Sequence, residues 1–319
     1  MPHFSFLEHR TAMATAVTPQ KLHWWQTLKG REALAGYIGI SPWLLGFLLW
    51  GVGPMMLSAY YSLTEYSILS DPVFRGLDNF ERMFTRDKLF AQALRVTAVY
   101  AIVTVPLGVI VGYGLALLLN QKARGLSYWR TGFYLPAVVP GVATAYLFAY
   151  VFANEYGLAD SVLQTIGIED PPNWFGSTKW ALPSLMVLSL WGAGGGLILY
   201  LASLQGVPTA LYDAAKVDGA NAWGQFWNVT IPMTSPVILF TFIMGIINSF
   251  QIFTSAFIIT QGGPVNSTLF YVLYLYRKGW QQLEMGYAAG LAWILFIIIF
   301  ALTVLVLRTS SRFVHYEGE

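Results

Sequence analysis

Six stretches of this chain contain no Asp, Glu, Lys or Arg: Gly36 to Ser58, Val96 to Leu119, Thr131 to Ala153, Trp180 to Leu204, Met233 to Thr260 and Met285 to Leu307. Each exceeds the roughly 20 apolar residues that a helix rising about 1.5 Å per residue needs to cross a hydrocarbon layer. Strands of a membrane barrel would instead alternate in polarity over about 10 residues. Continuous runs therefore predict helices, because in lipid only a helix satisfies its own backbone. The expected fold class is all-α transmembrane, with six spans. Only 11% of the residues are charged and 56% are hydrophobic, against about 25% charged in soluble domains, so a soluble core is not an alternative.

The polar segments divide the chain further. Residues 1–35 lack the apolar core of a secretory signal and read as a cytoplasmic segment, either disordered at its start or carrying an interfacial helix at KLHWWQTLK. Residues 36–307 form the expected membrane domain, with a polar loop at 205–232, and 308–319 form a tail. Basic residues favour one side. With the N-terminus inside, Arg10, Lys21, Lys29, Arg31, Lys122, Arg124, Arg130, Lys216, Arg308 and Arg312 are cytoplasmic. Opposite them are Arg75, Arg82, Arg86, Lys88, Lys179, Arg277 and Lys278, with Arg95 near a membrane edge. The loop QKARGLSYWR, Gln121 to Arg130, has three basic residues and no acid, and places both termini in the cytoplasm.

Several chemistries lack their residues. The histidines His3, His9, His23 and His315 all lie near the termini, so no HExxH metal site can sit within a span. With no cysteine, disulfides and thiolate metal sites are excluded. No carboxylate lies in a span, which removes paired-acid catalysis and the proton relays common in proton-driven transporters. Neither the GxSxG elbow nor the GxxxxGK[ST] phosphate loop occurs. The chain is expected to have no catalytic residue, cofactor or metal of its own, and uphill transport would need an energy-supplying partner.

The loop LYDAAKVDGANAWGQF, Leu211 to Phe226, is unusual for a linker. Pro208 and Thr209 suit a helix start, and Ala210 to Val217 are mostly good helix formers. Asp218-Gly219 signals a turn, Ala220 to Trp227 can form a second short helix, and Pro232 is expected to stop the chain before the next span. Phe226 and Trp227 offer an apolar underside, while Ala214, Ala215, Gly219, Ala220 and Ala222 permit close approach of another backbone. These properties alone leave a connector and a docking surface both open.

Asp213 to Pro232, DAAKVDGANAWGQFWNVTIP, resembles the EAA cytoplasmic loop of permease subunits of ABC importers. Ala214, Ala215, Asp218, Gly219, Ala220, Phe226 and Pro232 match at the family's spacing, whereas Asp213 stands where glutamate is usual. FRGLDNF, YWRTGFYLPAVVP, NWFGSTKWALPSL, TQGGPVNSTLFYVLYLY and MGYAAGLAWILF resemble, in order, landmarks of the carbohydrate-type permeases. The resemblance spans roughly residues 36–316. It implies a second permease subunit, usually a different chain, two cytoplasmic ATPase subunits carrying ATP and Mg, and an extracytoplasmic solute-binding protein. It also implies that residues 213–232 couple ATP-driven closure to alternating access, with Asp213 and Asp218 pairing with arginines of the ATPase.

The expected sugar pathway runs past Trp191, Gly192 and Gly194 in the fourth span and Asn248, Ser249 and Gln251 in the fifth, where Thr254 and Ser255 also lie. Neutral polyols suit uncharged amides, hydroxyls and aromatic faces. The same residues would serve as helix–helix contacts. Two other readings stand beside the importer: a partner-independent sodium-coupled transporter or channel using a helix broken at Gly192 to Gly196, and a membrane scaffold.

Overall fold

The computed structural model describes residues 23–121 and 124–310. The expectations for Lys21, for Lys122 and for the 311–319 tail, including His315 and Arg312, lie outside them, as do those for residues 1–22. The chain divides into two compact units at Leu57/Ser58.

In the first unit a 3-10 turn, Trp24–Gln26, leads into a helix from Leu28 that continues to Ser62. Thr27 caps it, its hydroxyl oxygen accepting from the Gly30 amide at 3.1 Å. The helix thus begins well before the charge-free run at Gly36, because a capped first turn tolerates Lys29, Arg31 and Glu32. A π turn at Leu48–Val52 interrupts it.

In the second unit, further helices long and apolar enough to cross a membrane are Lys88–Leu119, Ala181–Gly206, Ala222–Phe250 and Met285–Ser310. The expected third span is instead two helices, Leu126–Val138 and Gly141–Val151, bent by 99°. Val139 and Pro140 are both extended at the bend, as expected for a proline and the residue before it. Counted as one span, this pair makes six. The structure is thus mostly helical. Its exception is a small antiparallel hairpin, β1 Thr64–Ser67 and β2 Ser70–Phe74, in the first long linker.

The fifth span corrects two expectations. It starts at Ala222 rather than after Pro232, since Pro232 occupies a first-turn position of Ile231–Phe250 and a π turn at Phe226–Thr230 joins this to Ala222–Gln225. A proline there removes an amide that the local hydrogen-bond pattern does not need. It also ends at Phe250, not Thr260, with Gln251 as the capping residue.

Spans gain little from burial against one another in lipid, so their association rests on close packing and hydrogen bonds. Tyr113 and Thr234 hydroxyls meet at 2.8 Å between the second and fifth spans, and Tyr200 and Thr241 at 2.7 Å between the fourth and fifth. Tyr113 and Tyr200 rings pack edge to face, centroids 5.4 Å apart. Gly112 in the second span faces the Ala193 carbonyl so closely that a Cβ would lie 2.8 Å from it. Arg130, from the basic loop, donates to the Leu119 carbonyl at 2.7 Å and closes the end of the second span.

A polar cluster joins the first long linker to the last. The Leu89 and Phe90 amides donate to Asp87 Oδ1, at 3.0 and 3.2 Å, capping the second span. The Tyr274 and Tyr287 hydroxyls donate to its other oxygen. Glu284 accepts from Arg82 at 3.1 Å and from the buried Lys278 at 3.4 Å, and the Arg82 guanidinium stacks 4.6 Å above the Tyr287 ring. Burial opposes the charge on Asp87, but four hydrogen bonds outweigh it and hold the carboxyl below its ordinary value.

Candidate functional site: a neutral cavity and a polar hairpin

The second, fourth and fifth spans enclose a cavity of about 550 Å³, within the range of small-molecule pockets. Tyr100, Thr104 and Gly108 contribute from one face of the second span, at helical i, i+4, i+8 spacing. Ser189, Gly192 and Tyr200 come from the fourth, and Thr241, Asn248 and Ser249 from the fifth, beside Phe240 and Met244. No charged side chain lines it.

The expected pathway residues divide. Gly192, Asn248 and Ser249 line the cavity, while Trp191, Gly194 and Gln251 do not. The Trp191 ring packs against Phe148 at 5.6 Å. Gly194 is buried, with a position for Cβ only 2.0 Å from the Phe133 carbonyl, so it serves helix contact. Gln251 caps the fifth span. The fourth span breaks where expected, as a 3-10 stretch at Gly192–Gly196.

Polar groups on the wall differ in availability. Ser189 donates to the Met186 carbonyl, Thr104 to Tyr100 and Ser249 to Ile246, all within their own helices. Thr241 is shared between its own helix and Tyr200. Among the described residues, none hydrogen-bonds the side-chain amide of the exposed Asn248. Tyr100, Thr104, Ser189, Tyr200 and Thr241 were not among the expected pathway residues. The four-residue spacing of Tyr100, Thr104 and Gly108 marked their shared face, but the partner helices could not be read from it.

The hairpin begins with the helix Thr209–Val217. Gly219 then turns the chain at φ +81, in space open to a side chain. Asn221 caps the next helix, accepting from the Gly224 amide at 2.8 Å. Phe226 packs against the cluster of Tyr113, Ala116, Leu119, Tyr200 and neighbours, and Tyr212 meets Thr230 hydroxyl to hydroxyl at 3.1 Å. Phe226 thus occupies the expected underside. Trp227 is 52% exposed, its ring against Trp223 and Phe226. Ala214 and Asp218 are exposed, whereas Ala215 and Ala220 are half-buried. Asp213 accepts from Lys216 at 3.0 Å.

Comparison with known proteins agrees with this architecture. Residues 104–314 match the family described as binding-protein-dependent transport system inner membrane component. The ABC transporter permease protein YesP of Bacillus subtilis is 39% identical over 91% of this chain and 94% of its own length. The lactose transport system permease protein LacF of Rhizobium radiobacter is 33% identical over 86% of this chain and 95% of its own. A solved bacterial alginate ABC transporter, in complex with its alginate pentasaccharide-bound periplasmic protein, contains a chain with a TM-score of 0.78 and 22% identity. That match covers 90% of this chain and 97% of the other, so it speaks for the fold. The chain belongs to the family of inner membrane components of binding-protein-dependent transport systems.

Proposed function

We propose that this chain forms half of the translocation pathway of an ATP-driven sugar importer, with the cavity between the second, fourth and fifth spans as its part of the route. The observation that carries the reading is the Asn248 amide, uncommitted on the wall of a cavity without charge. An amide offers donors and an acceptor to hydroxyls without the desolvation penalty of an ion. Relatives named for lactose, arabinooligosaccharides and multiple sugars support the substrate class.

The energy enters at the hairpin. Residues 213–232 dock a separate ATPase subunit, which holds ATP and Mg, through Asp213, Ala214, Ala215, Asp218, Gly219 and Ala220, with Phe226 and Pro232 tying the hairpin to the fifth span. Two such subunits, a second permease of different sequence and an extracytoplasmic solute-binding protein complete the assembly. Both termini face the cytoplasm, with 1–35 and 308–319 flanking the membrane domain. Alternating access follows when ATPase closure moves the hairpin and the fifth span, one continuous helix from Ala222 to Phe250.

Reconstitution of the full assembly in proteoliposomes tests the route. Asn248→Ala should lower sugar uptake at least tenfold while the amount of assembled complex stays constant. Unchanged uptake with unchanged substrate range would remove Asn248 from the pathway.

A further inference from the structure

Two apolar side chains of the hairpin have no contact that explains their exposure. Val217, the last residue of Thr209–Val217, is 88% exposed, and Trp223 is 68% exposed. Scattered exposed apolar residues are ordinary on protein surfaces. These two are different because they flank one turn, outside the spans, in a segment whose base is otherwise fastened. Tyr212–Thr230 and Phe226 hold that base against the span cluster, and Val217 lies more than a helical turn beyond Tyr212. Trp223 is also preset: its ring stacks on Phe226 at 5.7 Å and meets Trp227 edge to face at 5.8 Å. A ring already held in place loses little freedom on binding, which is the character of an interface anchor.

The charges nearby are weak competitors. Asp213 is already paired with Lys216 in an exposed i,i+3 bridge at 3.0 Å, so contact with a partner cation would exchange one ion pair for another. Exposed pairs contribute little in any case. Lipid is a poorer occupant than protein, because Val217 stands between Lys216 and Asp218, whose charged groups favour water.

We infer that Val217 and Trp223 are the apolar anchors by which the hairpin seats in the ATPase subunit, and that the complex is held by these side chains rather than by Asp213. The inference rests on the coupling role proposed above. It requires an apolar recess on the ATPase surface and a complex that resists salt.

The chain has no cysteine, so Val217→Cys supplies a single thiol. In inside-out vesicles a water-soluble maleimide should label it freely without the ATPase and at least tenfold more slowly when the ATPase is bound. Protection without the ATPase would place Val217 in lipid and overturn the inference. In detergent, the purified assembly should lose at least tenfold in ATPase affinity on Val217→Ser or Trp223→Ala, with thermal midpoint unchanged. Asp213→Asn should stay within twofold, and 0.5 M NaCl should not strip the wild-type complex. Intact affinity in both apolar variants, or loss in Asp213→Asn or in salt, would overturn the anchors while leaving the coupling site standing. A wild-type chain that retains no ATPase would overturn the coupling reading and the anchors together.

Discussion

Gly192 and Gly194 share one short 3-10 stretch and meet opposite surroundings. A Cβ at Gly192 meets nothing within 4 Å, whereas one at Gly194 would collide with the Phe133 carbonyl. Gly192→Ala is therefore expected to leave stability nearly unchanged, and Gly194→Ala to cost about 1–3 kcal/mol as an overpacking change, read from thermal unfolding in detergent. Equal effects would contradict the packing role. Asp87 yields a second prediction. Its folded-state carboxyl is held below the ordinary value of 3.8, so its stabilisation is whole above that value and is lost as pH falls through the lower folded value. Tyr274 and Tyr287 donate directly to it, with Arg82, Lys278 and Glu284 in the same cluster. Asp87→Asn keeps a helix cap but loses the charged acceptor, so stability at pH 7 should fall by about 1–3 kcal/mol. The acid-side slope of the thermal midpoint should also flatten. A slope identical to wild type would remove Asp87 as its source.

At the level of elements, the charge-free runs located the spans because ion desolvation in lipid is severe enough to show in sequence. What decides their ends is more local. Thr27 starts a helix ahead of the apolar run, and Pro232 fails to stop one because it falls in a first turn. The 99° bend between Val138 and Gly141 was hidden in an unbroken apolar stretch, although Pro136 and Pro140 stood there in the sequence. Site residues follow the same division. Asn248, Ser249 and Gly192 were legible as polar or small residues inside spans, but Trp191, Gly194 and Gln251 met the same criterion and face elsewhere. Which face of a span looks inward depends on neighbours that no single periodicity specifies. The hairpin was legible as helix and turn. Gly219, at φ +81 in open space, should accept Asn, which tolerates that conformation, and reject Val, which does not. ATPase retention by Gly219→Asn and Gly219→Val complexes measures this, and equal retention would show that the turn's conformation is immaterial.

For the whole molecule, three features belong to one machine: a cavity without charge, a hairpin anchored at its base and exposed at its tip, and a chain with no phosphate loop of its own. The fifth span connects the first two. It carries Asn248 at the cavity and is continuous with the hairpin's Trp223 and Phe226, so displacement at one end is transmitted by a helix rather than a flexible link. The most direct measurement is uptake of a labelled neutral oligosaccharide into proteoliposomes holding this chain with its cognate second permease and ATPase, its binding protein supplied outside. Uptake should require ATP inside the vesicle, persist without a sodium gradient, and disappear when the ATPase is omitted. Uptake by this chain without the ATPase, driven by a sodium gradient, would contradict the account.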